Sequence, residues 1–426
     1  MRESLILARR LLVMASLWIL GVCAVARASD WPQFRGPTGQ GVSAEKGLPL
    51  TWAADKNILW NVELPGAGTS SPIVFGERIF LTCFSGFKVP GQPVGSMENL
   101  KRQIVCLNAK EGKLLWDRTI PSKLPEQASI REEHGYATST PVADQDRVYA
   151  FFGKSGVFAF DHAGKQLWHA DVGARLNGWG SAAPLAIHGD LVLVNASIES
   201  DALIALNKMT GKEVWRTPGI RESWHMPLVV DVNGKAEIVI AMIGKIFGID
   251  PANGEKLWSC NTEIGWYMVP TPVAHDGVVY CLGGRSGIVG LAVRAGGRGD
   301  VTQSHRLWKS DKGSNVTSPI YHEGHLYWMS DQLGIAYCAE AKSGRIVYAE
   351  RVGSAGQVYS SPILSDGRIY YTDRLARTFV VAAQPEFKVL AESTLGKRIH
   401  INASPAVSAG RLLLRVDQVL YCIGER

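Results

Sequence analysis

Two positions recur ahead of eight prolines, and they hold the side chains in this chain best suited to touching a ligand. Five residues before the prolines stand Ala67, Tyr136, Trp179, Glu222, Tyr267, Ser314, Gln357 and His400. Three before stand Thr69, Thr138, Ser181, Trp224, Val269, Val316, Tyr359 and Asn402, with His134, His225 and Trp266 close by. Aromatic rings with a few convergent polar groups suit a flat polar ligand, a sugar or a peptide. His134, Tyr136, Trp179, Glu222, Trp224, His225, Trp266, Tyr267, Tyr359, His400 and Asn402 are therefore the ligand-face candidates. The competing reading is that these side chains fill a channel and satisfy one another. Glu222 is the only carboxylate in the five-before set, and Arg221 beside it marks it as part of a polar cluster. A general base working near neutral pH needs burial or a like charge to raise its pKa. His134, His225 and His400 would have to converge to hold a metal. They fall in repeats two, four and eight, so neither a metal site nor a catalytic residue is assigned.

The prolines themselves set the framework that must position these groups. A small residue, or once Met, precedes Pro at Ser71, Thr140, Ala183, Met226, Thr271, Ser318, Ser361 and Ser404. From Pro141 the prolines are separated by 43, 43, 45, 47, 43 and 43 residues, whereas the first interval is 69. A period in the forties built from short apolar strands is the signature of a propeller. Proline lacks a backbone N–H and suits the first residue of an edge strand. Each unit also ends on a recurring hairpin, clearest at Asn207-Lys-Met-Thr-Gly211-Lys-Glu-Val-Trp215 and Asp250-Pro-Ala-Asn-Gly254-Glu-Lys-Leu-Trp258. Its glycine supplies the positive φ of a tight turn, and its Trp fills the wedge between blades.

The eighth proline strand is followed by only two more strands before the chain stops. Ile58–Leu64, carrying Trp60, precedes the first repeat and reads as a lone outer strand. The sequence therefore predicts an all-β, eight-bladed β-propeller of four-stranded blades, closed by an N-terminal strand completing the C-terminal blade. Closure removes exposed sheet edges.

The chain has 426 residues and a net charge of +6, half of it contributed by Arg2, Arg9, Arg10 and Arg27 against Glu3. So weak a balance gives no case for nucleic acid. Arg9 and Arg10 precede the apolar run Leu11–Ala26, and Ala26-Arg-Ala28 is a small-x-small cleavage site. Residues 1–28 are expected to be a signal peptide, 29–56 a leader packed on the propeller, and 57–426 the propeller. No later apolar run is long enough for a transmembrane helix. Val22 precedes Cys23 where a lipoprotein signal wants a small residue. The six other cysteines are expected as buried free thiols, because Cys106, Cys338 and Cys422 occupy the same slot of different blades.

The Asp/Asn-x-x-Thr/Asn-Gly-Lys/Glu-x-x-Trp hairpin resembles the repeat of pyrroloquinoline-quinone (PQQ) enzyme propellers and of BamB-type outer-membrane assembly factors. The resemblance covers about residues 57–426, and Asp30-Trp-Pro-Gln-Phe-Arg-Gly-Pro resembles the leader of an exported subfamily. It implies two functions. One is a binding or protein-interaction scaffold in the bacterial cell envelope or periplasm, with an envelope protein or a small polar ligand at the channel mouth and no cofactor. The alternative is a PQQ-dependent dehydrogenase of alcohols or sugars, with PQQ and Ca²⁺. Such enzymes carry adjacent cysteines over the quinone, and no two cysteines adjoin here. The scaffold is the preferred expectation.

Strand order places a site. The loop between strands two and three and the link to the next blade share one face. The two long insertions, 84–102 and 117–133, are expected side by side at that mouth, and 294–306 on the opposite face.

Overall fold

Each Ser/Thr–Pro pair opens a short innermost strand, and the reason for the hydroxyl is visible between blades. In the computed structural model, which describes residues 30–130, 134–285, 288–396 and 400–425, the N–H of the residue before one proline donates to the hydroxyl before the next. Ser404 donates to Ser71, Ser71 to Thr140, Thr271 to Ser318, Ser318 to Ser361 and Ser361 to Ser404, all at 2.8–3.2 Å. Met226 donates more weakly to Thr271 at 3.4 Å. The belt has no hydroxyl at Ala183 and Met226.

Eight antiparallel four-stranded sheets radiate from this belt, two of them extended by a short fifth strand. Blade three is representative, with strands Ala186–His188, Leu191–Ala196, Ala202–Asn207 and Glu213–Pro218. The last blade combines Ala406–Ser408, Arg411–Val416 and Val419–Ile423 with Ile58–Glu63, Trp60 lying opposite Cys422. The protein is thus the eight-bladed propeller, ring-closed by its N-terminal strand.

The recurring hairpin has a physical role at each end. Asn207 Oδ1 accepts from the N–H groups of Met209 and Thr210, and Asn108 and Asp250 repeat the turn. The glycine that follows faces the Trp of the preceding blade. A Cβ at Gly211 would meet the Trp168 ring at 2.6 Å, and one at Gly254 would meet Trp215 at 2.6 Å. The same Trp rings donate Nε1–H to backbone oxygens of the next blade, Trp168 to Lys208 and Trp215 to Pro251. Burial of an indole with a satisfied N–H stabilises each seam by roughly 2–3 kcal/mol.

The seam after blade four departs from this pattern, because insertion 294–306 stands where the next Gly turn would be. Gly299–Asp300 instead adds a parallel fifth strand beside Trp258 and Ser259 on the outer edge of blade four. Trp258 turns its Nε1–H to the buried Glu237 carboxylate at 2.7 Å. The insertion therefore covers a sheet edge as well as lengthening a turn.

The leader does more than pack on the ring. Trp31 pairs with Val74 of blade one, the Pro32 carbonyl accepts from Ala143 of blade two, and Gln40 Oε1 accepts from Ala274 of blade five. Val42–Ser43 then pairs in parallel with Leu364–Ser365 of blade seven. These contacts fall two or three residues past the prolines, at the end of the channel away from the mouth. Residues 30–43 thus cross and close that end. The signal peptide proposed for residues 1–28 lies outside the described residues. Among the described residues, no helix is long and apolar enough to cross a membrane.

Candidate functional site

The open end of the channel holds a cavity of about 300 Å³ lined by residues of every blade. Its floor is Phe34 of the leader, and its lower wall is the hydroxyl belt. Seven of the sequence candidates line it: His134, Trp179, Trp224, His225, Tyr267, Tyr359 and Asn402.

The lining is divided by chemistry. From the link after blade one to the link after blade four run His134, Trp179, Trp224 and Tyr267. Tyr267 lies 5.5 Å from both Trp179 and Trp224, and His134 lies 5.9 Å from Trp179, each ring inclined to its neighbour. Trp224 is fixed by its Nε1–H donating to the Gly180 carbonyl at 2.8 Å. On the other side stand Arg285, Asn315, Gln332, Gln357, Arg374 and Asn402. Arg374 lies 4.6 Å over the Tyr359 ring, donates Nε–H to Asn402 Oδ1 at 3.1 Å, and donates from Nη1 to Gln357 Oε1 at 3.2 Å. Gln357 in turn donates to Gln332 at 3.2 Å, so blades six to eight share one polar ladder.

No Asp, Glu or Cys is among the described lining residues. The nearest acids of the polar side hold loops rather than face the cavity. Asp331 accepts from the Asn315 N–H and from the Gln332 side chain. Asp373 accepts from the N–H groups of Leu375, Arg377 and Gly356, and its other partner is Arg377.

His225 borders the cavity but is almost wholly buried. Its Nδ1–H donates to the Met226 carbonyl at 2.7 Å, and its Nε2 accepts from the Ala241 N–H at 2.9 Å. Burial holds its pKa down at about 4. With both nitrogens engaged, it has no lone pair left for a metal or a proton-transfer role.

Four candidates lie elsewhere. Tyr136 is in a small apolar core with Phe84, Phe87, Leu100 and Ile130, where the two long insertions pack together. That cap is pinned by a buried Arg102–Glu126 ion pair at 2.7 Å and by Ser122 donating to the Leu100 carbonyl. Its strands also trim the first insertion, since regular pairing persists to Ser85 and resumes at Lys101. Glu222 takes a positive φ of 51°, and its carbonyl accepts from the Met268 N–H, a backbone role outside the cavity. Trp266 stands behind Tyr267, and His400 is exposed, its N–H directed at Asp417.

Sequence reasoning missed Arg285, Gln332 and Arg374. They share one slot, just after strand two, as in Asp331-Gln-Leu-Gly334 and Asp373-Arg-Leu-Ala376. Aligning that turn across repeats would have found them. Phe34 carried no such signal, because nothing in the leader's residues shows that it crosses the channel.

An eight-bladed ring of such hairpins defines a class, the PQQ-like repeat propellers. The family model described as outer membrane protein assembly factor BamB matches residues 94–163 and 153–384, and the chain belongs to that family. Among curated proteins, tetrathionate hydrolase of Acidithiobacillus ferrooxidans is 24% identical over 267 residues, 52% of this chain and 51% of that protein. Quinoprotein alcohol dehydrogenase PedH of Pseudomonas putida is 32% identical over 188 residues, 40% of this chain and 28% of that protein. The aligned stretch is thus about half the length of the first relative and less of the second. Among solved structures, BamB of Moraxella catarrhalis superposes with a TM-score of 0.60 at 15% identity, covering 87% of this chain and 97% of that one. A europium-containing methanol dehydrogenase superposes with a TM-score of 0.65 at 12% identity, covering 91% and 89%. Identities this low speak for the fold alone.

Proposed function

We propose that this protein is an exported binding propeller of the bacterial cell envelope, which receives a small polar ligand or a partner's side chains at the channel mouth without transforming it. One observation carries the reading: a ligand-sized cavity with an aromatic half and a cationic, amide-rich half, and no carboxylate or thiol among its described lining residues. Such a lining can stack and hydrogen-bond a ligand. It offers no carboxylate or thiolate for general-base or nucleophilic work and no acidic oxygen for a hard cation, and His134 is held in the aromatic half beside Trp179. The family match to an assembly factor supports a binding role.

The second reading, a quinoprotein dehydrogenase, draws on the likeness to PedH. The residues present do not fit its cofactor pair. Arg285 and Arg374 suit a quinone's carboxylates, but the lining offers no acidic oxygen for Ca²⁺ and no cysteine over the ring. Among the described residues no group of three His, Cys, Asp or Glu could hold a metal ion. No catalytic step is derived.

The experiment is a thermal-shift and calorimetric screen of the mature chain against sugars, organic acids and short envelope-derived peptides, repeated with Trp179→Ala and Trp224→Ala. The expected result is a ligand whose binding both variants weaken at least tenfold. Binding that neither variant changes would place the ligand elsewhere and sink the proposal.

A further inference from the structure

Resting on the reading of the cavity as a ligand site, we propose that its ligand is a single ring bearing a carboxylate, with the ring against Trp179, Trp224 and Tyr267 and the carboxylate on Arg374.

Arg285 and Arg374 both line the cavity, and neither belongs to an ion pair among the described residues. The partners found for the Arg374 guanidinium are the amide oxygens of Gln357 and Asn402 and the face of Tyr359. These neutral groups fix its plane and leave its charge uncompensated. Among the described residues no hydrogen bond leaves Nη2. A guanidinium held this way is pre-organised for a carboxylate, whose charge-assisted bonds are roughly twice as strong as neutral ones. His225 stays neutral through the physiological range, and no carboxylate among the described lining residues opposes the two arginines.

Shape supplies the rest. The inclined rings of Trp179, Trp224 and Tyr267 form a concave apolar wall on the side away from Arg374. Phe34 closes the floor, so a ligand enters from one side and cannot thread through. A cavity of about 300 Å³ is at the small end of ligand pockets, which suits one ring and its head group. Two sources share this chemistry: a uronate sugar, whose C–H face stacks on indole, and an aromatic acid.

The test is calorimetry on the mature full-length chain with two matched pairs: methyl glucuronoside against methyl glucoside, and 4-hydroxybenzoate against 4-hydroxybenzamide. In at least one pair the acid is expected to bind about tenfold or more tightly than its neutral partner, the scale of one charge-assisted bond. The pair that shows it identifies the source. Arg374→Gln is expected to abolish that preference, the acid and its neutral partner then binding within about twofold of each other, well inside a single hydrogen bond. Arg285→Gln, a change at an exposed side chain, is expected to lower acid affinity severalfold and serves if Arg374→Gln does not fold. Equal binding of acid and neutral probes in both pairs, or a preference that survives both variants, overturns the carboxylate assignment while leaving the cavity a ligand site. Silence from all four probes, with a different ligand found in the cavity, also overturns it. Failure of the wider ligand screen overturns the parent reading itself.

Discussion

The N–H of Ser404 donates to the hydroxyl oxygen of Ser71 at 2.9 Å, joining the last blade to the first across 333 residues of sequence. Both residues are buried, and the bond continues a belt that passes through Ser361, Ser318 and Thr271. The cavity is built directly above this belt, whose hydroxyls form its lower wall. Ring closure and site are one construction.

Ser71→Ala should therefore be costly for so small a change. It leaves the buried Ser404 N–H without its acceptor, a loss of about 1–3 kcal/mol. Ser71→Thr keeps the oxygen and should recover most of it. Urea unfolding of the three proteins measures the difference.

Glycine turns separate strain from packing. Gly277 has φ 71° and open space around a Cβ, whereas Gly211 has φ 72° and the Trp168 ring 2.6 Å from a Cβ. Gly277→Ala should cost about 1 kcal/mol from the left-handed backbone alone. Gly211→Ala should cost clearly more, because the seam must open as well. Equal melting temperatures for the two variants would refute the role given to the Trp–Gly seam.

Two buried groups give opposite pH dependences. Glu199 sits behind the mouth, hydrogen-bonded to Ser181, and burial pushes its carboxyl up to about 7. The folded state then holds this proton more tightly than the unfolded chain, so stability from Glu199 is full below about 4.5 and lost as pH rises through about 7. Glu199→Gln should be more stable than the parent at pH 8, by at most on the order of 3 kcal/mol, and nearly equal to it at pH 4.5. His225 runs the other way. Its pKa is held down at about 4, so its contribution is present above about 6.5 and lost as pH falls through about 4. Melting temperatures from pH 4 to 8 for parent and Glu199→Gln check the sign.

Arg35, in the leader, is buried with no hydrogen-bond partner for Nε or Nη1 among the described residues, and burial lowers its pKa to about 9. Its remaining bonds go to the Pro319 and Gln40 carbonyls. An ion left without an opposite charge in such a place is a poor source of stability. Arg35→Met should leave the melting temperature unchanged or raise it. A fall of many degrees would show that the two carbonyl bonds outweigh the desolvation.

The ring was legible because it repeats. The Pro strand recurs eight times, from the second onward at a near-constant spacing, the Asn–Gly–Trp hairpin recurs in most of the units, and the single stray strand at Trp60 supplies the one strand the last unit lacks, so the local rules agree. The site was legible only where it followed the same register. Trp179, Trp224, Tyr267, Tyr359 and Asn402 sit in links whose geometry the repeat dictates. Tyr136 occupies the same register but is drawn into the cap by Phe84 and Phe87, contacts made by an insertion that occurs once. The leader is likewise unique: its path through Phe34 and Arg35 is set by where the channel is open, a property of the closed ring and not of any segment.

The claim that the mouth binds without redox chemistry meets its most direct test in one assay. The protein, given PQQ with Ca²⁺ or a lanthanide ion, is offered alcohols and sugars in the presence of an electron-accepting dye. A cavity with no lining acid predicts no dye reduction, and any binding of the quinone, through Arg374 and Arg285, should be indifferent to the metal. Dye reduction that requires both PQQ and the metal would contradict the account.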